Sequence, residues 1–173
     1  MNECLVQRSQ NVSNPMKFLT TDYSASEKVG HYRIDVERRI RIEEYQGKTG
    51  LNDLKSILLS MASDPCWSAE FHGLIDLSEA ELELTANDVL RLALVLRHEA
   101  NRTHGWLAYV ATKSTTYGII RMLGYWSRNT QRVRIFQTRH QAEAWLEMNI
   151  NQVPPGFIQE ADVPVVPVLR NVI

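Results

Sequence analysis

Seven residues able to hold or orient an anion fall just past strand-like apolar runs or in the first turns of the helical runs that follow. They are Asp76, Ser78, Thr85, Lys113, Ser114, Tyr117 and Arg121. Lys113 and Arg121 supply positive charge, and a helix start adds amide N–H groups and the positive end of a dipole. Such a set suits a phosphate, a carboxylate or a lipid headgroup. The same residue types have plainer uses. Asp76 can cap or pair locally, Arg121 can be an ion-pair partner, and Ser114-Thr115-Thr116 reads equally as capping chemistry.

Catalytic and metal signatures do not stand out. The histidines are His31, His72, His98, His104 and His140, and none has a ligand partner at helical spacing; His98 and Glu99 are adjacent, so their side chains diverge. His72, inside an apolar run, reads as a hydrogen-bonded core residue. There is no Gly-x-Ser-x-Gly, no phosphate loop and no dinucleotide-binding glycine run. Cys66 precedes Trp67 without the context of a cysteine hydrolase. No cofactor or metal is expected, and the chain reads as a non-enzyme.

The 173 residues suit one domain with tails, and the formal net charge of −1 offers no field that would recruit nucleic acid. The basic run Arg38-Arg39-Ile40-Arg41 is expected to point its arginines at water and blunt a sheet edge. Cys4 and Cys66 have neither metal-site spacing nor the look of a disulfide framework, which makes a reducing cytoplasm the default. No segment is apolar for long enough to cross a bilayer, and the N-terminus lacks the basic start and apolar core of a secretory signal. Residues 1–30, polar throughout, read as a mobile leader, within which Met16 is an alternative start.

Strand-like and helix-like runs alternate from there. Tyr32, Ile34 and Val36 alternate with Arg33, Asp35 and Glu37, and Ile40 and Ile42 alternate with Arg41, Glu43 and Tyr45. The period of two predicts an antiparallel hairpin or one bent strand, with the isoleucines inward and Arg41, Glu43 and Tyr45 in water. Thr49 is the expected cap of a helix with Leu51, Leu54, Ile57, Leu58 and Met61 as its apolar stripe, stopped by Asp64-Pro65. Phe71–Leu77 and Trp106–Thr112 read as central strands, with an acidic, irregular stretch at Ser78–Leu84. Thr85 caps the next helix, with Asp88 three residues on and Val89, Leu92, Ala93 and Leu96 buried. A helix from about Ser114 carries Gly118 and Gly124, which suggests close backbone approach. Arg132–Thr138 reads as a strand near the edge, and Thr138 with Gln141 forms a capping box for a last helix burying Ala142, Trp145 and Leu146. Residues 150–173 are proline-rich and read as an extended tail. Strands separated by helices must cross over and run parallel. The predicted class is therefore α/β, with a mostly parallel sheet of four or five strands, an N-terminal hairpin and about four helices over residues 31–149.

The chain resembles the SpoIIAA-like subgroup of the STAS (sulfate transporter and anti-sigma factor antagonist) domain. Four stretches carry the likeness: Gly47-Lys48-Thr49 into Asp53-Leu54; Leu74-Ile75-Asp76-Leu77; Tyr117-Gly118-Ile119-Ile120-Arg121-Met122; and Val133-Arg134-Ile135-Phe136 followed by Ala142-Glu143-Ala144-Trp145-Leu146. The resemblance implies binding or regulation more than catalysis. In the anti-sigma-antagonist branch, a serine in an Asp-Ser-Ser-Gly turn at the second helix is phosphorylated. Alignment on Asp76-Leu77-Ser78 puts Thr85 at that acceptor position. Leu84 then stands in place of the aspartate and Ala86-Asn87 in place of Ser-Gly, so the motif itself is missing.

The expected function is a STAS-like binding or regulatory domain that engages a protein partner or a small anionic or amphiphilic ligand where the strand ends gather. A carrier of lipid or other apolar ligand is an alternative, and it requires an enclosed apolar cavity of a few hundred cubic ångström. A phosphoregulated switch through Thr85 is another. Tyr117, Met122, Tyr125 and Trp126 form an aromatic patch that reads as core packing, or as a dimer surface or apolar pocket.

Overall fold

The computed structural model describes residues 29–98, 103–128 and 132–152. The expected leader and all but the first residues of the tail lie outside these. The chain order is β1 (Gly30–Asp35), β2 (Ile40–Thr49), α1 (Leu51–Ala62), β3 (His72–Leu82), α2 (Ala86–Arg97), β4 (Leu107–Val110), α3 (Ser114–Trp126), β5 (Val133–Phe136) and α4 (Arg139–Asn149). One five-stranded sheet has the spatial order β1-β2-β3-β4-β5. The β1–β2 pair is the expected antiparallel hairpin, and the other three pairings are parallel.

Sequential strand order decides where the helices go. Each parallel crossover steps to the next strand in the same direction, so crossovers of one hand put their helices on one face. Accordingly α1 packs on α2 and α2 on α3. α4 follows the last strand and covers the opposite face over β3, β4 and β5. Two cores result. On the three-helix face Leu54, Leu58, Met61, Val89, Leu92, Ile120 and Leu123 meet Ile75, Leu77 and Tyr109. On the α4 face Ala142 and Leu146 meet Ile40, Leu74, Trp106, Ala108 and Val110.

Interior position in the sheet overturns the predicted sidedness of β2. Flanked by β1 and β3, this strand has both faces covered. Ile40 faces the α4 side, while Arg41, Glu43 and Tyr45, predicted to lie in water, are buried at 2%, 3% and 4% exposure. The arginine of the basic run that should have blunted an edge is thus a core residue. Gly73 on β3 makes room for it: a Cβ there would lie 2.9 Å from Arg41 Nε and 2.8 Å from Leu107 Cδ2.

Other boundaries also shift. Thr49 is the buried last residue of β2, and Gly50 is the N-cap of α1, its N–H donating to Asp53 Oδ2 at 2.8 Å. The stretch read as acidic and irregular continues β3 to Leu82, because Glu79–Leu82 pair with Gln46–Thr49 past a register shift in which Leu77 and Ser78 stand opposite Tyr45. α2 ends at Arg97, with His98 as its C-cap. Thr85 and Thr138 are both N-caps as read, each hydroxyl accepting from the N–H three residues on, Asp88 and Gln141, but the reciprocal bond of a capping box forms at Asp88 and not at Gln141. A Cβ on Gly118 would meet nothing within 4 Å, so no close approach requires that glycine. Cys66 is not a free thiol.

Candidate functional site

The strand ends present two clusters where the sequence predicted one. The strand order never reverses, so the sheet has no switch point at which neighbouring crossovers part to open a crevice. Alternation then separates the candidates. Asp76 stands between Ile75 and Leu77, which point into the three-helix core, and so Asp76 points to the α4 side.

There Asp76 joins Ser78 and charged residues that the sequence did not single out as site candidates. Its Oδ1 accepts from the Ser78 N–H at 3.0 Å and the Ser78 hydroxyl at 2.6 Å, and its Oδ2 lies 3.7 Å from Arg139 Nη1. Arg139, in the first turn of α4, also donates through Nη1 to Glu44 and through Nε to Glu143 Oε1 at 2.8 Å. His31 Nε2 lies 2.7 Å from Glu44 Oε2. A cation at a helix start opposes the dipole, so its acidic neighbours compensate. The hydrogen bond from Arg139 pulls the Glu44 carboxyl below its ordinary range, and Glu143 and Glu44 raise Arg139. This network ties α4 to β2 and β3 and uses Asp76 as a structural partner.

Thr85 caps α2, and the other four candidates lie on or beside α3. Lys113 is its N-cap, makes no side-chain capping bond, and donates through Nζ to Ala80 O at 3.3 Å. Thr112 Oγ1 donates to Ser78 O at 3.3 Å, which fastens this loop to β3. Ser114, Tyr117 and Arg121 follow at spacings of three and four, which places them on one helical face, and all are exposed. Below Ser114, Tyr117 and Arg121 line a groove of about 350 Å³ together with Gly124, Val133 and Ile135, between α3 and the edge strand β5. Neither α3 nor β5 contains an acidic residue. Arg134 also borders the groove, its guanidinium carbon 5.9 Å from the rings of Trp106 and Trp145.

Of the predicted aromatic patch, Met122 and Trp126 pack on the three-helix core, whereas Tyr117 and Tyr125 are exposed, Tyr125 at 73%. The Thr85 hydroxyl is held within a complete capping box, donating to Asp88 Oδ2 at 2.6 Å. A phosphate on that oxygen would displace the bond to Asp88 and bring two negative charges together.

His72 meets its predicted role. The Trp106 N–H donates to Nδ1 at 3.0 Å, so Nε2 carries the proton and donates to Ile150 O at 3.0 Å. Burial lowers its pKa, consistent with this neutral form. Among the described residues no group of three or more His, Cys, Asp or Glu is placed to hold a metal, and no helix is long and apolar enough to cross a membrane.

No family model matches the chain, and no curated protein matches it. One solved structure is similar. It is an uncharacterized protein from the DUF3478 family with a SpoIIAA-like fold, from Shewanella loihica PV-4, at 22% identity over 62% of this chain and 83% of that one, with a TM-score of 0.44. The α/β class and mostly parallel sheet stand on the strand pairings themselves. Nothing about ligand, partner or chemistry passes from that neighbour to this chain.

Proposed function

We propose that this chain is a non-enzymatic, STAS-like binding or regulatory domain that engages the anionic group of a protein partner or small amphiphilic ligand along α3. The observation that carries the reading is the exposed stripe Ser114–Tyr117–Arg121, which leads into a groove bounded by β5 and free of acidic residues on both walls. Arg121 supplies the counter-charge, Tyr117 an apolar wall with a polar tip, and Ser114 and Lys113 the polar entrance beside the helix start. Asp76 acts behind this surface as an anchor for α4.

The carrier alternative draws less support. The interior space of the three-helix core is about 40 Å³, well short of what a lipid tail fills. Thr85 phosphorylation would have to break a complete capping box.

The test is calorimetric titration of the full chain with inorganic phosphate, dodecyl phosphate and an acidic peptide. Binding of at least one probe is expected. Arg121→Ala should weaken it by about fivefold or more, about 1 kcal/mol, and Lys113→Ala by less. Probe binding that neither substitution weakens, or no binding by any probe, rules the reading out.

A further inference from the structure

The interior space of the three-helix core is not purely apolar. Its walls include leucines of α1 and α2, but its sheet side carries Arg41, Glu43, Tyr45 and Tyr109. Arg41 and Glu43 are nearly fully buried. Arg41 Nε lies 3.2 Å from Glu43 Oε1, yet the pair is not aligned as a hydrogen bond. Among the described residues, Arg41 Nε and Nη1 and Glu43 Oε1 therefore have no hydrogen-bond partner. Glu43 Oε2 does accept from the Tyr45 hydroxyl at 2.8 Å, and Trp67 lies 5.1 Å from the guanidinium carbon, covering it without offering an acceptor.

Two donors and one acceptor thus face a shared space, and buried polar groups of this kind nearly always find partners. The pair is neutral as a whole, so an added ion would leave an uncompensated charge in a low-dielectric interior. A group that accepts from Arg41 while donating to Glu43 meets both needs, and a hydroxyl does this with a single oxygen. One water requires about 10–15 Å³ of such space, so about three or four waters fit, or one hydroxyl with its first carbons against the leucines.

We propose that this space is a binding site for a neutral hydroxyl group, from water or from a short-chain alcohol, that bridges Arg41 and Glu43. The site lies inside the three-helix core against β2, where α3 contributes only the apolar Ile119, Ile120 and Leu123 and neither Tyr117 nor Arg121, so it stands or falls independently of the proposed function.

Nuclear magnetic resonance on the full chain tests it and separates the two sources. In water, the Arg41 Nε–H should show a cross-peak of the sign that marks a long-lived bound hydroxyl. On titration with 1-propanol, an alcohol-accepting site gives saturable shifts of the Tyr45 and Tyr109 rings and loss of that cross-peak; a water-only site keeps the cross-peak with no saturable shift. Either pattern supports the bridging hydroxyl and names its source. Absence of both signals from the wild-type chain overturns the proposal. The double substitution Arg41→Met with Glu43→Leu fills the space with apolar atoms and should abolish every one of these signals. Their persistence in a folded double variant would place the hydroxyl elsewhere and overturn it equally. If that variant does not fold, the wild-type spectra decide alone.

Discussion

The two faces of the sheet solve the same burial problem in opposite ways. The α4 face is sealed by apolar atoms, with Trp106 and Trp145 edge-to-face at 5.3 Å and Leu146 and Ala142 fully covered. Its charges are pushed to the rim, where Arg139 joins Glu44, Asp76 and Glu143. The three-helix face instead takes an arginine and a glutamate into its centre, with Tyr45 and Tyr109 beside them. Burial, and after it the charge of Glu43, pushes both phenols well above the ordinary tyrosine range, so both keep their protons as donors. Rim charges stay partly hydrated and contribute little each, whereas an interior pair is costly to bury and more costly to break.

The sharpest way to probe that contrast is to break the interior pair from one side. Glu43→Ala leaves the Arg41 charge buried without a counter-ion and should cost about 3–5 kcal/mol in chemical denaturation. Arg41→Met with Glu43→Leu should be neutral or stabilising by about 1–4 kcal/mol in the same assay. On the apolar face Leu146→Ala should cost about 2–5 kcal/mol through lost contacts and the cavity left behind. At the rim Arg139→Ala should cost only about 1 kcal/mol, because its partners remain partly hydrated. Gly118→Ala, on an exposed turn of α3 with open space around it, should stabilise by about 1 kcal/mol in the same denaturation series.

The faces also differ in their response to pH. Burial lowers the folded-state pKa of His72 below its ordinary 6.5. The unfolded chain then takes up a proton first as pH falls, so this contribution is complete above 6.5 and is lost as pH drops from 6.5 toward the folded value. Thermal unfolding midpoints should fall between about pH 7.5 and about pH 5.5, and fall less in His72→Gln.

Much of the fold could be read from local chemistry. Thr85 and Thr138 announce their helices because a hydroxyl before an apolar stripe satisfies an orphan amide, and the stripes Leu54–Met61 and Val89–Ala93 bury as their spacing requires. β2 misled for a physical reason. Period two separates its residues into two sets but cannot say that both sets are covered, and Ile40 and Ile42 draw attention from Arg41 and Glu43. Ser78–Leu82 looked irregular because its stabilising partner is the end of β2, about thirty residues earlier in the chain.

The candidate site was legible to the extent that one helix carries it. Ser114, Tyr117 and Arg121 share a face because their spacing is helical. Asp76 was grouped with them only because its strand ends nearby, and the alternation that turns it to the other side of the sheet shows once Ile75 and Leu77 are known to face three helices. Glu44 and Arg139 are 95 residues apart, beyond any local pattern. The one hint in the sequence was a cation just after the Thr138 cap, where a helix start favours an anion.

The measurement that bears most directly on the proposed role is amide chemical-shift mapping of the labelled chain with dodecyl phosphate. We expect saturable changes concentrated at Lys113–Gly124 and Val133–Ile135, abolished by Arg121→Glu. Changes centred on Asp76, Glu44 and Arg139 instead, or changes unaffected by Arg121→Glu, would contradict the account.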